Sequence, residues 1–126
     1  MKLKREERGA VVVEFALVLP LLVLFVFGIV EFGRAYSTKI ELAAAVREGV
    51  RTAALGGTTI TAKEIEDTTK AAAPGLAGIT VLSTKCTTSP SATATVTARY
   101  AFSYDIPLLR SRTADLQAVG VMRCGG

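Results

Sequence analysis

The sequence predicts an α+β fold, in which a long N-terminal transmembrane helix continues into a stalk and packs against a small antiparallel β-sheet head. Three patterns predict it: 18 of the 21 residues at 10–30 are apolar, residues 31–55 have helical periodicity, and residues 93–105 alternate as a strand does. The predicted organisation is a cytoplasmic leader at 1–9, a transmembrane helix at 10–30, a helical stalk at 31–55 and an extracytoplasmic head at 56–126.

The composition excludes several classes of protein. The 126 residues include no His, which removes His-based triads and HExxH zinc sites. Two Cys without His do not make a zinc site, and no phosphate-binding, dinucleotide-binding or GxSxG motif is present. Part of the net charge of +4 comes from the leader. The rest of the chain is then only weakly basic, so we do not expect it to bind nucleic acid. We predict no enzyme activity, no cofactor and no metal.

The apolar segment at 10–30 has the length of a membrane span. A helix of this length rises about 31 Å, enough to cross the hydrocarbon core. Lys2, Lys4, Arg5 and Arg8 precede it, so the positive-inside rule places the N-terminus in the cytoplasm. Two alternatives are the buried helix of a soluble protein and a secretory signal peptide. The second fits poorly, because such apolar regions are about 7–15 residues long and end at an A-x-A site.

Glu14 is the one charged side chain within residues 10–30. A carboxylate in a membrane span costs about 2.5–3.5 kcal/mol on insertion scales, so its presence calls for a positively charged partner or a functional role. If the chain were cut between Gly9 and Ala10, the new amine could neutralise Glu14 of the same or a neighbouring subunit. The alternative is a carboxylate that reaches the cytoplasmic headgroups.

A leader that ends at Gly9, a glutamate five residues later and an unbroken apolar helix together resemble type IV prepilins and pseudopilins. Residues 8–57 are similar to the TadE-like family of the tight-adherence (Flp) pilus systems. The resemblance implies that prepilin peptidase cuts between Gly9 and Ala10, and that Glu14, followed by the aromatic Phe15, acts in assembly. It also implies a single-pass protein of the bacterial cytoplasmic (inner) membrane, with a cytoplasmic N-terminus and its head in or at the base of a pilus.

The function that the resemblance implies is that of a pseudopilin or minor pilin, which acts by helix packing and not by catalysis. Its partners would be the cytoplasmic membrane, prepilin peptidase, other pilin or pseudopilin subunits, the pilus assembly platform and other copies of itself. One alternative is an uncleaved single-pass scaffold of the same secretion system, and another is a membrane-tethered extracytoplasmic binding protein. Pro20 bends the helix, either to adapt it to a filament or as a plain kink in an anchor.

The stalk carries an apolar stripe at spacings of three and four residues, formed by Ile40, Ala43, Val46, Val50 and Ala53. The stripe is expected to pack on the protein's own sheet, or alternatively on another subunit. Gly56 and Gly57 predict the end of the helix.

The head is expected to hold one short helix and three strands. Thr61 and Glu64 have the spacing of a capping box, which predicts a helix to about residue 73. Strands are expected at 79–85, 93–105 and 114–123. The three aromatic residues of the second strand are expected to lie in the core.

Cys86 and Cys124 are the two cysteines of the chain, and both fall on the oxidising side of the predicted membrane. A small head with a thin core gains from a covalent link, so we predict a disulfide between them. Two free thiols and an intermolecular bridge are the alternatives.

Overall fold

The computed structural model describes residues 3–89, 91–107 and 110–125, and for residues 3–8 it describes the backbone alone. Helix α1 runs from Leu3 to Gly56 without a break. Residues 3–9 of the predicted leader, the predicted span and the predicted stalk therefore lie on one continuous helix, and the boundaries between them remain predictions. Gly57 follows the helix with a φ of 58°, the left-handed conformation that glycine adopts without a Cβ penalty.

Three strands form the sheet: β1 spans Thr80–Thr84, β2 spans Thr93–Tyr104 and β3 spans Arg112–Arg123. Their order is β1-β2-β3, and both pairs are antiparallel. The predicted α+β fold is confirmed. Strand β3 begins two residues before the predicted start, because Arg112 still pairs with Tyr104 across the ladder.

One face of β2 is buried against helix α1. Alternate residues Ala94, Val96 and Ala98 are fully buried, and Phe102 is nearly so, which is the period-two pattern of a strand with one covered face. Of the other two aromatic residues, Tyr100 and Tyr104 are half-buried. The predicted aromatic core is thus centred on Phe102.

The face of α1 that meets the sheet differs in part from the predicted stripe. Val46, Val50 and Ala53 are buried as expected. Ile40 is 55% exposed, so the expectation that it packs on the protein's own sheet is wrong, and the alternative of a contact with another subunit stays a prediction for this residue. The covered side of the helix is shifted around its axis relative to the predicted stripe, and it is built from Leu42, Ala45, Val46, Gly49, Val50 and Ala53.

Helix α1 and strand β3 approach each other closely at Gly120. A Cβ at this position would lie 2.7 Å from Cγ1 of Val46 and 3.3 Å from its carbonyl oxygen. Real Cβ atoms do not approach other atoms so closely, so the glycine sets the distance between helix and sheet at the middle of the head.

Helix α2 spans Ala62–Ala71 and begins at the predicted capping box. The Glu64 backbone N–H donates to Thr61 Oγ1 at 3.2 Å, and the Thr61 backbone N–H donates to Glu64 Oε2 at 2.8 Å. These hydrogen bonds to the ionised carboxylate lower the pKa of Glu64, with the Thr61 backbone N–H as the larger cause and the Thr61 hydroxyl as the second. Ile65 and Thr69 then fix α2 to the core, since both are fully buried.

Replacing Thr61 with alanine should lower the free energy of unfolding by about 1 kcal/mol at neutral pH, because the cap of α2 is lost. The Glu64 pKa is depressed in the folded state. The stabilisation that ionised Glu64 gives is therefore fully present above the pKa that Glu64 has in the unfolded chain. It is lost as the pH falls through the lower pKa that Glu64 has in the folded protein. Urea unfolding of the full chain in micelles at neutral and acidic pH measures both effects. If the difference in free energy of unfolding between the wild type and Thr61→Ala grew on acidification, it would contradict this account. Thr58→Ala, outside the capping box, is the matched control.

Candidate functional site

The apolar half of helix α1 is exposed along its length. Within the described part of the chain, one helix is long and apolar enough to cross a membrane, and its most apolar stretch of 18 residues has a mean hydropathy of 2.8 and is 0% buried. The core helix of a soluble protein would be mostly covered by its own fold. The exposure therefore argues against the buried-helix alternative and supports contact with lipid or with other helices.

Glu14 lies on this exposed segment, at the start of an apolar row that we call the free face. The row follows helical spacings of three, four and seven residues, so its members share one side of the helix. Each is more than half exposed: Val18, Phe25, Ile29, Phe32, Tyr36 and Ile40. The free face thus begins one turn after Glu14 and continues beyond residue 30, above the predicted span.

Gly9 and Ala10 lie within regular helix, and both are exposed. A Cβ at Gly9 would meet no atom within 4 Å, and glycine is about 0.8–1 kcal/mol less favourable than alanine inside a helix. Packing in this fold therefore gives no reason for glycine at position 9. Phe15, next to Glu14 in the sequence, is also exposed. Pro20 is within the helical segment of α1, and its side chain is exposed like those of its neighbours.

The sheet is attached to α1 just above the predicted span. Arg34 Nη1 donates to Glu31 Oε1 at 2.7 Å, and its guanidinium lies 5.6 Å from the centre of the Phe102 ring. One turn higher, the Lys39 ammonium donates to the backbone carbonyl of Gln117. These contacts hold β2 and β3 alongside the helix at the level where an outer membrane interface is expected.

The connection between β2 and β3 reaches further down the helix. Pro107 lines an apolar cleft of about 260 Å³, which we call the mid-helix cleft, together with Leu19, Pro20, Val23 and Leu24. All four helix residues belong to the predicted span. No sequence pattern pointed to this contact, because nothing in the local sequence of the connection identifies its partner on the helix.

Cys86 and Cys124 are joined in a disulfide, with 5.8 Å between their Cα atoms. The Cys124 backbone N–H also donates to the Ala92 carbonyl at 3.0 Å. Cys86 is buried against the end of α1, and its Sγ lies 3.5 Å from the Ala53 carbonyl oxygen. The bridge therefore ties the end of β3 to the segment after β1, next to the last turns of the long helix.

The head has a groove of about 570 Å³ between the start of α2 and the end of β1, lined by Thr61, Ala62, Ser83, Thr84, Lys85 and Thr87. Of its hydroxyl groups, that of Thr61 donates to Glu64 Oε2 at 2.7 Å within the capping box of α2. Lys85 Nζ donates to the Thr58 carbonyl at 3.3 Å. Among the described residues, no group of three or more Cys, Asp or Glu side chains could hold a metal ion.

Over the residues that the structure describes, the geometry defines a helix able to span a membrane that is continuous with a small α+β head. Residues 9–51 match the family described as TadE-like protein, which confirms the predicted resemblance over this segment. The match indicates an involvement in Tad pilus assembly and an association with membrane and pilus components, and this family is not known as enzymatic. Comparisons with curated proteins and with solved structures gave no match.

Proposed function

We propose that the chain is a pseudopilin or minor pilin of a tight-adherence, type IV-like pilus, and that it acts by packing helix α1 against the helices of other subunits. The free face carries this proposal. It offers a continuous apolar row from the predicted span up to Ile40, on a side of the helix that the sheet leaves exposed. A plain membrane anchor needs apolar residues in lipid, but not an exposed apolar row above the membrane.

In this proposal the N-terminus lies in the cytoplasm, the helix crosses the cytoplasmic membrane once, and the head lies outside. Prepilin peptidase removes residues 1–9. Gly9 supports this step, because the fold does not require glycine there and glycine makes the helix easier to unwind for cleavage.

Cleavage would create an amine at Ala10, one helical turn before Glu14. A buried carboxylate is tolerated when a cation pairs with it, and removing one partner of such a pair is strongly destabilising. The amine of one subunit and Glu14 of its own chain or a neighbour can therefore pair when the helices associate. The pair would fix the axial position of one helix against the next, since misaligned helices leave both charges unpaired.

Mass spectrometry of the protein purified from membranes tests the processing step. We expect a mature chain that begins at Ala10 in cells with prepilin peptidase, and one that begins at Met1 in cells without it. Gly9→Val should block cleavage, whereas Gly33→Val is the matched control, because a Cβ at either glycine meets open space. A chain beginning at Met1 in cells with the peptidase would support the uncleaved scaffold instead.

The role in assembly is tested by deleting the protein and counting pili by electron microscopy. The proposal expects a loss of pili that the wild-type gene restores. Normal piliation and adhesion in the deletion strain would contradict it.

A further inference from the structure

The face of the sheet that points away from helix α1 carries apolar side chains. Leu82, Thr97 and Val119 lie opposite one another on the three strands and form one row across this face. Thr95 and Val121 form the next row. We call these residues the outer patch. Leu82, Val119 and Val121 are each more than half exposed, so the sheet presents an apolar surface to water on the side that its own helix does not cover.

The upper part of the free face is a second uncovered apolar surface. Tyr36 and Ile40 are each more than half exposed, and they lie six and ten residues beyond Val30, the last residue of the predicted span. At about 1.5 Å per residue they are about 9 Å and 15 Å above the outer end of the apolar segment. Burying this surface against the outer patch would remove apolar area of both from water. Within one chain the two cannot meet, because the outer patch lies on the far side of the sheet from α1.

Contacts between α1 and β3 give the relative heights of the two surfaces. The Lys39 ammonium donates to the carbonyl of Gln117, and Gln117 lies opposite Arg99 on β2. Strand β3 runs upwards in the same direction as α1, because its later residues contact later turns of the helix. Val119 is two residues beyond Gln117, or about 7 Å higher. Ile40, next to Lys39, is therefore about one helical turn below Val119 of the same chain.

Two copies that span one membrane in the same orientation have parallel helices, and this fixes how the two surfaces can meet. If one copy is raised by about one helical turn, or about 5–6 Å, its Ile40 reaches the height of Val119 on the lower copy. Its Tyr36 is then level with Arg99 of the lower copy, whose side chain is exposed. A guanidinium and an aromatic ring attract each other within about 6 Å. The surfaces thus match in apolar character, in height and in one cation–π contact.

We propose that the outer patch of one copy of this chain receives Tyr36 and Ile40 of a second copy that is raised by about one helical turn. This inference rests on the proposed function and names the partner of the free face above the membrane. In the span the free face packs against helices, and above the span it packs on a sheet. The same displacement brings the amine at Ala10 of the raised copy level with Glu14 of the lower copy, because Ala10 precedes Glu14 by four residues.

The contact joins two different surfaces, so it is heterologous. Because each copy is also displaced along the helix axis, repetition of the contact does not close into a ring and gives an open helical array. Above the membrane the sheet of the lower copy lies between the two α1 helices, so these helices diverge upwards from the span. Pro20 provides a point at which α1 can bend to allow this.

Crosslinking between two differently tagged full-length copies tests the contact. The natural cysteines are joined in a disulfide, so an introduced thiol is the reactive one. We would co-express Ile40→Cys with Val119→Cys in piliated cells and treat the membranes with a short bismaleimide. This combination should give several times more crosslinked dimer than either variant with itself. Glu48→Cys, at an exposed position of the same helix, replaces Ile40→Cys as the matched control. A dimer formed by Val119→Cys alone would overturn the inference, because it would show a sheet-to-sheet contact, and so would the absence of a dimer in every combination.

A charge at the centre of the outer patch tests whether the contact contributes to assembly. Val119→Arg should lower the co-purification of two tagged copies by about tenfold or more, since the arginine would lose its water against apolar side chains. Thr113→Arg, at an exposed position of the same strand, is the matched control, and circular dichroism checks that both variants fold.

The outcomes separate this inference from the proposed function. Wild-type co-purification of the Val119→Arg copies, in cells whose pili depend on the protein, would overturn the inference alone. A Val119→Arg protein that keeps its self-association but loses other pilus subunits would also overturn it, because the outer patch would then bind a different subunit. Normal piliation in cells that lack the protein would overturn the proposed function as well.

Discussion

Replacing Glu14 with glutamine should prevent the protein from joining other pilin-like subunits, while its amount in the membrane stays the same or rises. A carboxylate in the span costs about 2.5–3.5 kcal/mol on insertion scales, so its removal makes insertion easier. In the proposed assembled state, the variant leaves the amine at Ala10 without its partner, which costs about 3–5 kcal/mol for a buried pair. Assembly should therefore fall by roughly two orders of magnitude or more.

Two measurements separate these effects: immunoblots of the membrane fraction, and co-purification with other pilus subunits together with pilus counts. Glu48→Gln is the matched control, since it makes the same chemical change at an exposed position of the same helix outside the predicted span. Glu14→Asp keeps the charge and should retain part of the assembly. Wild-type co-purification of the Glu14→Gln protein would exclude the proposed pairing.

Removing the disulfide should have the largest effect on stability. The bridge between Cys86 and Cys124 closes a loop over a sequence separation of 38 residues, and the chain-entropy relation gives it about 4 kcal/mol. The Cys86→Ala/Cys124→Ala double variant should lose most of this free energy of unfolding. Urea unfolding of the full chain in micelles, followed by near-UV circular dichroism, measures the loss.

Reductant is the matched treatment for this experiment. It should destabilise the wild-type protein by a similar amount and leave the double variant unchanged. Non-reducing electrophoresis should show a monomer without alkylatable thiols for the wild type. A double variant within about 1 kcal/mol of the wild type, the size of an ordinary substitution, would show that the bridge adds little to the fold.

Local signals were sufficient for most of the fold. The capping box at Thr61 and Glu64 gave the start of α2 to the residue, because the two hydrogen bonds depend only on a spacing of three. The alternation of β2 predicted its buried face, since the period of a strand is fixed by its backbone. The end of α1 followed from Gly56 and Gly57 for a similarly local reason.

The differences arose where distant parts of the chain meet. Ile40 was expected on the stripe that packs on the sheet because its spacing from Ala43 is helical. The sheet instead covers the side of α1 where Val46 meets Gly120 of β3, and Ile40 stays exposed. The contact of Pro107 with the predicted span has no local signal either. For Gly9 and Glu14 the sequence supplied the hypothesis, and the structure adds that the fold itself does not require glycine at position 9.

The continuity of helix α1 has a mechanical consequence. Its 54 residues make a rod about 80 Å long, and the structure places no flexible linker between the apolar segment and the head. Force applied to the N-terminal end is therefore transmitted along one hydrogen-bonded axis to the sheet. A movement that lifts or turns the N-terminal end would therefore displace and rotate the head with it. Pro20 is the point where the rod can bend.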